Sequence, residues 1–167
     1  MELSEAEAIA APIVEKMRPH CQHIEIAGSV RRLCSDPNDI EIVYVAKTNG
    51  RAVAALYDII CRMPKVKGEP LGKYTQRIHP GPQEVKIDFF QASRDNWGLQ
   101  LAIRTGSARF SHDLAKKWCA LGYRSESGIL CPIVAGIAGK PVVYIREEKE
   151  LFDFLGMPYI EPQMRNL

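Results

Sequence analysis

Three acidic residues stand in apolar, strand-like segments of the first half of the sequence. Asp39 and Glu41 lie two residues apart in the run D-I-E-I-V-Y-V, and Asp88 lies within K-I-D-F-F. Side chains two apart on a strand leave the same face, so the first two carboxylates lie together. If the strand of Asp88 is the neighbouring one, three negative charges converge, and they repel one another unless cations compensate them.

Hard oxygen ligands of this kind are those that Mg²⁺ prefers, and Mg²⁺ also binds the phosphates of substrates. Two such ions about 3.5–4 Å apart can stabilise both the attacking and the leaving oxygen of an in-line phosphoryl displacement. The three carboxylates therefore predict two Mg²⁺ ions, which Mn²⁺ could replace, and phosphoryl-transfer chemistry.

A Gly28-Ser29 turn precedes these acids and offers groups that bind phosphate. It follows a short predicted strand and opens a predicted helix, where free backbone amides and a hydroxyl can hold an anion. Gly28 permits a close backbone approach, and the guanidinium groups of Arg31 and Arg32 can bind a phosphate through paired hydrogen bonds. Each signal is common by itself, but their order and spacing together are specific.

Composition places the chain among globular proteins. Its 167 residues are 46% hydrophobic and 25% charged, which suits one domain or a domain with a small appendage. No apolar run approaches the ~20 residues of a membrane span, and the acidic N-terminus lacks the basic region of a signal peptide. Five scattered cysteines fit reduced thiols. We expect a cytoplasmic protein without a membrane partner.

Charge is unevenly distributed although the net charge is only +2. Residues 94–124 carry six Lys or Arg against two Asp, whereas residues 147–161 carry five acids against one Lys. The basic segment could face the phosphates of a nucleic acid. On charge alone, a solvated helix face explains it equally well.

Residue periodicity predicts strands and helices that would position these groups. Strands are expected at residues 23–27, 39–46, 65–69, 73–79 and 83–92. Helices are expected from the N-terminus to Pro19, between Gly50 and Pro64, and over residues 94–103, 107–121 and 147–155, with a small sheet within 123–146. Pro12 predicts a kink or a restart in the first helix. The composition changes near residue 94, from a strand-rich half to a mixed half.

The order of motifs resembles a known family. G-S-V-R-R at 28–32, D-I-E at 39–41 and a distant Asp88 are similar to the pattern of the polymerase-beta-like nucleotidyltransferases. The resemblance is closer to the family X DNA polymerases. Two further segments are similar to theirs, I-R-T-G-S-A-R-F-S-H-D-L-A-K-K-W-C-A-L-G-Y at 103–123 and the stretch from I-A-G-K-P to I-E-P at 137–162.

The resemblance implies an α+β fold with two parts. Residues 1–94 would form a nucleotidyltransferase palm, a mixed sheet with helices, and residues 95–167 a small α/β nascent-base-pair-binding subdomain, the thumb. The chain would be a minimal palm-plus-thumb form, without the N-terminal lyase and DNA-gripping helical domains.

The resemblance also implies roles for individual residues. Asp39, Glu41 and Asp88 would be catalytic and would hold two Mg²⁺, with Asp88 helping to activate the primer 3′-hydroxyl. The nucleotide-binding set would be Gly28, Ser29, Arg32, Asn38, Arg104, Thr105, Gly106 and Ser107. The DNA-binding set would be Lys86, Arg109, Lys116 and Lys117. A cis peptide is expected at Gly106–Ser107, as in relatives.

Five positions depart from the family pattern. Glu41 replaces the usual aspartate, and one extra methylene can disturb chemistry that depends on positioning. Ile103 and Arg104 replace an aromatic pair. Ala108 and Ala115 stand where larger polar side chains touch the base pair, so the selection of base and sugar can differ from that of relatives.

The function that the resemblance implies is DNA-directed nucleotide transfer. A dNMP from a dNTP would be added to a DNA 3′-hydroxyl on primer-template or gapped DNA, in gap-filling repair, by a monomeric enzyme. Two alternatives stay open. One is template-independent transfer to RNA, a small molecule or a protein, and the other is a non-enzymatic DNA-binding or scaffolding module.

Overall fold

The structure, a computed structural model, describes residues 1–133 and 140–166. The chain divides into two compact units, Met1–Ser93 and Arg94–Leu167, which we call the first and the second unit. Residues 134–139 lie outside the described residues; all of them belong to the predicted small sheet, and 137–139 also begin the second family-like segment. The assignment of the two units as palm and thumb stays a prediction.

The first unit contains a five-stranded mixed sheet in the spatial order β1-β2-β5-β4-β3. Strands β2 and β5 are parallel, whereas the other neighbouring pairs are antiparallel. The elements are α1 (Leu3–Met17), β1 (Cys21–Ile26), α2 (Gly28–Arg31), β2 (Ile40–Ala46), α3 (Gly50–Cys61), β3 (Lys65–Gly68), β4 (Tyr74–His79) and β5 (Val85–Gln91). A 3₁₀ turn, Arg18–His20, joins α1 to β1.

Helices α1 and α3 cover one face of this sheet. The core that they share with the sheet includes Ile42 of β2 and Phe89 of β5, both fully buried. Because side chains alternate along a strand, Glu41 and Asp88 leave the opposite face. The fold therefore places both acids away from the main core of the first unit.

Pro12 lies inside α1 without a restart of the helix. Its ring is exposed, while Ala10 and Ile13 beside it are buried. Burial of the apolar stripe on both sides of the proline outweighs the hydrogen bond that its missing N–H removes. Of the two outcomes predicted at Pro12, a kink or a restart, the restart is therefore excluded, and the kink stays a prediction.

The second unit has three helices and a two-stranded antiparallel sheet among its described residues. They are α4 (Trp97–Thr105), α5 (Ala108–Ala120), β6 (Tyr123–Glu126), β7 (Ile129–Pro132) and α6 (Glu148–Phe154), and a 3₁₀ turn, Pro162–Met164, follows. The core includes Leu99 of α4, Leu114 of α5 and Phe152 of α6. A mixed α/β architecture with a five-stranded mixed sheet is thus confirmed.

At Gly98, helix α4 lies very close to the backbone of the residues that precede α6 in the chain. The Gly98 N–H donates to the carbonyl of Ile145 at 2.9 Å. A Cβ added at Gly98 would lie 2.2 Å from the carbonyl carbon of Glu147, so no larger residue fits without moving the backbone. This contact fixes α4 against the start of α6.

All five cysteines are free thiols, in line with the reduced state predicted from their spacing. Cys21 is buried, and burial raises the pKa of its thiol to about 12. It therefore stays protonated at neutral pH. Across residues 1–133 and 140–166, we find no helix with the length and apolar character that crossing a bilayer requires.

Candidate active site

The two strands that carry the predicted carboxylates are neighbours in the sheet. In the parallel pairing of β2 with β5, Glu41 lies directly opposite Asp88. Paired residues on adjacent strands have their side chains on the same face, about 5 Å apart at Cβ. Asp39 immediately precedes the first residue of β2, Ile40. The register therefore places the start of β2, with Asp39 and Glu41, beside Asp88 in the middle of β5.

Asp88 is only 8% exposed, and two neutral side chains orient its carboxylate. Its Oδ1 accepts hydrogen bonds from the Tyr74 hydroxyl at 2.9 Å and from Gln76 Nε2 at 2.8 Å. Gln76 lies directly opposite Asp88 in the antiparallel pairing of β4 with β5. The Tyr74 ring stacks on Phe90 with centroids 5.0 Å apart, which holds the hydroxyl in place.

Tyr74 and Gln76 are residues of the site that sequence reasoning missed. The alternation of β4 places both on one face of that strand, and this was the available signal. It could not be used from the sequence alone because it required the knowledge that β4, rather than β1 or β3, is the antiparallel neighbour of β5.

Glu41 packs directly against the Gly28-Ser29 turn. A Cβ added at Gly28 would lie 1.9 Å from Glu41 Oε2, and Gly28 has φ +61°, a conformation that favours glycine. The Ala27 N–H donates to the backbone carbonyl of Glu41 at 2.8 Å, which ties the turn to β2. The turn and the second predicted metal ligand are thus parts of one packed cluster.

The remaining predicted phosphate-binding residues of the first unit lie in α2, at its end and in the segment before β2. Ser29 is half-buried in α2, and the Arg32 N–H ends that helix by donating to the carbonyl of Gly28 at 3.1 Å. Asn38 is exposed in the segment before β2. Their roles in nucleotide binding stay predictions.

The Asp39 carboxyl lies close enough to Asp88 for their charges to interact. Burial raises the pKa of the Asp39 carboxyl above its ordinary value, and the negative charge of Asp88 raises this pKa further. Lys86 and Arg32 act in the opposite direction but do not cancel the shift. A carboxylate with a raised pKa beside a second acid is the situation that a bound cation relieves.

The carboxylates are not drawn together into a formed metal site. Within residues 1–133 and 140–166, no group of three His, Cys, Asp or Glu side chains is arranged to hold a metal ion. The Oδ1 of Asp88 is held by its two neutral donors, and Glu41 lies against Gly28. The donor type and the strand register suit Mg²⁺, but the metal-binding role of the trio stays a prediction.

In the second unit, the predicted sugar-contacting turn joins α4 to α5. We call Thr105, Gly106 and Ser107 the 105–107 turn. The Ser107 hydroxyl caps α5 by accepting from the Phe110 N–H at 3.1 Å. Arg104 is half-buried in the last turn of α4, directly before this turn.

The cis peptide predicted at Gly106–Ser107 is wrong, because the described residues contain no cis peptide bond. Gly106 has φ −65° and ψ 154°, an ordinary extended conformation. The Gly106 N–H donates to the carbonyl of Ala102 at 3.1 Å, and the Ser107 N–H donates to the carbonyl of Arg165 at 3.0 Å. Both amides are satisfied with a trans bond, so the turn is stable without the rarer isomer.

Helix α5 presents a basic outer face. Arg109, Lys116 and Lys117 are exposed, whereas Phe110, Leu114 and Trp118 are buried at spacings of four. His112 is also exposed and lies within one turn of Arg109, so it extends the face that the sequence predicted. Asp113 forms an ion pair with Lys116 at 3.5 Å and reduces the positive charge there. Lys86 is exposed on β5 in the first unit.

Comparison with known proteins gives two matches. The family model of the DNA polymerase beta thumb matches residues 100–166. DNA polymerase lambda of Arabidopsis thaliana is 34% identical over 97 residues, which is 53% of this chain and 18% of that protein. The chain thus spans a small part of the length of this curated relative. These matches support the resemblance to the family X DNA polymerases.

Proposed function

We propose that this family X polymerase-like chain is a nucleotidyltransferase of the DNA polymerase type. It would add the nucleoside monophosphate of a dNTP to a DNA 3′-hydroxyl and release pyrophosphate. The observation that carries the proposal is the parallel pairing of Glu41 with Asp88, with Asp39 two residues before Glu41 and Gly28 against the Glu41 carboxylate. Acids and an anion-binding turn at one place suit phosphoryl transfer.

The Gly28-Ser29 turn would bind the triphosphate. Because Gly28 carries no Cβ, the Glu41 carboxylate lies directly against it, which would bring this predicted metal ligand beside the phosphates. The hydroxyl of Ser29 and the guanidinium of Arg32 would donate hydrogen bonds to phosphate oxygens. Asn38, exposed at the same end of the sheet as Asp39, would contribute an amide donor.

Asp39, Glu41 and Asp88 would hold two Mg²⁺ ions, or Mn²⁺ in their place. When bound, the ions stabilise the attacking and the leaving oxygens of the displacement. A carboxylate oxygen of Asp88 would accept the proton of the primer hydroxyl. Tyr74 and Gln76 fix the direction of this carboxylate through Oδ1 without cancelling its charge, because both donors are neutral.

The second unit would supply contacts to the sugar of the nucleotide and to DNA. The 105–107 turn, preceded by Arg104, would lie against the sugar, and the exposed cations of α5 would contact DNA phosphates. Such contacts bind without reading sequence and weaken steeply with salt. Lys86 would lie near the primer end. A monomer working on gapped DNA in repair is the setting that we propose for this activity.

Primer extension on one-nucleotide-gapped DNA with Mg²⁺ tests the proposal. Asp88→Asn keeps the shape and the hydrogen bonds of the side chain but removes its charge. We expect incorporation to fall by about a hundredfold or more. Removing a group that only orients a metal ligand already costs about 10- to 100-fold, and Asp88 would be a ligand itself. Asp58→Asn, which changes an exposed acid of α3, is the matched control and should keep full activity.

Equal incorporation by the wild type and Asp88→Asn, at equal melting temperatures, would contradict the proposal. A second set of reactions replaces the DNA primer with an RNA primer and supplies ATP without a template. Faster transfer under those conditions would identify the template-independent alternative, with the same acids in the same roles.

A further inference from the structure

The guanidinium of Arg165 is completely buried in the second unit. Arginine is almost never fully buried unless it is paired. Nη1 donates to Glu148 Oε1 at 2.6 Å, and Nε donates to the backbone carbonyl of Ile160 at 2.8 Å. Glu148, the first residue of α6, is itself only 7% exposed. The two groups form a desolvated ion pair.

Three aromatic rings enclose this pair. The centre of the guanidinium lies 5.9 Å from the ring centroid of Phe110, 5.1 Å from that of Phe152 and 5.3 Å from that of Tyr159. The Tyr159 hydroxyl also donates to Glu148 Oε2 at 3.3 Å. Arg165 therefore contacts α5, α6 and the segment that follows α6, and these contacts fix its position from several directions.

Arg165 reaches the 105–107 turn by two routes. Its backbone carbonyl accepts the Ser107 N–H at 3.0 Å. Its guanidinium lies over the ring of Phe110, and a Cβ added at Gly106 would lie only 2.5 Å from Cδ1 of that ring. Arg165 thus supplies a hydrogen-bond acceptor to the turn and also contacts the ring against which Gly106 packs.

Stability alone explains this arrangement poorly. Apolar residues of similar volume often stabilise a protein as well as a buried ion pair does, because desolvation offsets most of the Coulomb attraction. Directional, charge-assisted contacts also fix the position of a residue. Here they hold Arg165, whose backbone carbonyl accepts the hydrogen bond of the Ser107 N–H.

We infer that Arg165 is a positioning residue, which holds the 105–107 turn in the conformation that receives the sugar of the incoming nucleotide. The part about the nucleotide rests on the proposed function. The part about the turn rests only on the contacts within the second unit. Two measurements test these parts separately.

The first measurement is amide hydrogen exchange, followed by NMR, in the wild type and in Arg165→Lys. Lysine keeps the charge but lacks the planar, two-sided donor geometry of arginine. We expect the Ser107 amide to exchange about tenfold faster in the variant, the change that corresponds to one hydrogen bond. Amides in the middle of α5 should change less. Arg124→Lys, which alters an exposed ion pair with Glu126, is the control and should leave Ser107 unchanged.

A purely structural role gives a different result. Global destabilisation would accelerate the Ser107 amide and the α5 amides by the same factor, and that outcome, like an unchanged Ser107 amide, would overturn the inference.

If Arg165→Lys does not fold, the double variant Arg165→Met with Glu148→Leu takes its place, since an apolar pair can restore stability. We expect faster amide exchange at Ser107 than in the middle of α5 in the double variant as well. If the double variant shows no such difference, the inference is overturned.

The second measurement is single-nucleotide insertion by the same variants. For Arg165→Lys we expect the KM for dNTP to rise about tenfold while kcat changes by less than about threefold, because binding of the sugar is weakened and the acids are untouched. A fall in kcat alone would contradict the assignment to the sugar. If the wild type inserts no nucleotide, the proposed function fails, but the exchange result still decides whether Arg165 positions the turn.

Discussion

The two units each contain a cluster of charged side chains, and the two clusters differ in how their charges are balanced. In the first unit, Asp39 and Asp88 are close enough for one carboxylate to raise the pKa of the other. In the second unit, Arg165 and Glu148 are opposite in sign, paired and buried. Like charges held together reduce the stability of a fold, and such clusters are typical of functional sites. Paired charges instead define a packed arrangement.

The partners of Asp88 sharpen this comparison. Tyr74 and Gln76 are neutral, so they orient the carboxylate and leave its negative charge in place. The partner of Glu148 is a guanidinium, which cancels the charge. Asp88 is thus held by neutral groups, as the proposed binding of a cation requires, whereas Glu148 already has a cationic partner.

The comparison predicts the largest loss of stability when one member of the buried pair of Arg165 and Glu148 is removed. Glu148→Ala leaves the charge of Arg165 buried without its carboxylate, and we expect the free energy of unfolding to fall by about 3–5 kcal/mol. Glu126→Ala removes an acid from an exposed pair with Arg124 and should cost less than about 1 kcal/mol. Denaturant unfolding of both variants measures the difference. Similar losses would show that Arg165 is not left as an uncompensated buried charge in Glu148→Ala.

A smaller effect is expected from adding one methyl group to each unit. Gly98→Ala would push a Cβ into the backbone at Glu147, and overpacking of this kind costs about 1–3 kcal/mol. Gly50→Ala, at the start of α3, meets no atom within 4 Å and should change stability by less than about 1 kcal/mol, in the favourable direction. Thermal unfolding distinguishes the two, and a tolerated Gly98→Ala would mean that α4 can move away from α6.

The smallest effect has the opposite sign, because removing an acid from the first unit should stabilise it. Asp39→Asn removes a charge that burial and Asp88 disfavour, so we expect a higher melting temperature than that of the wild type at pH 7 with a chelator present. A raised pKa means that the folded wild type binds its proton more tightly than the unfolded chain does. The advantage of the variant should therefore vanish below the ordinary value of 3.8 and grow as the pH rises through the folded-state pKa.

Magnesium should reverse this order. A cation bound by the folded wild type stabilises it, and a variant without Asp39 would gain less. Differential scanning fluorimetry with and without Mg²⁺ provides the measurement. If Mg²⁺ raises both melting temperatures equally, Asp39 is not a ligand, and the raised pKa of its carboxyl has another use.

Sequence patterns predicted the elements of the first unit well because its strands alternate clearly or are apolar throughout. That the strand of Asp88 lies beside the strand of Glu41 was assumed and not predicted, because residue patterns do not show which strands are neighbours. Tyr74 and Gln76 were missed for this reason. At Pro12, tertiary burial outweighed the local tendency of proline to interrupt a helix, so the helix does not restart there.

The second unit was harder to predict in detail. Arg165 stands in a polar stretch, Q-M-R-N, that looks like an exposed end, and its burial depends on aromatic rings 6 to 55 residues away in the sequence. The Ser107 N–H likewise pairs with the carbonyl of Arg165, 58 residues away in the sequence. Contacts between residues distant in sequence cannot be derived from local patterns.

The close approach of Glu41 to Gly28 has a practical consequence for protein engineering. Shortening Glu41 to the aspartate that relatives use would withdraw the carboxylate from the turn and leave a gap one methylene wide. Filling that gap from the other side is impractical, because at φ +61° almost any side chain at position 28 is strained. Redesign of either residue would therefore have to treat both as a single module, together with the strand end that carries them.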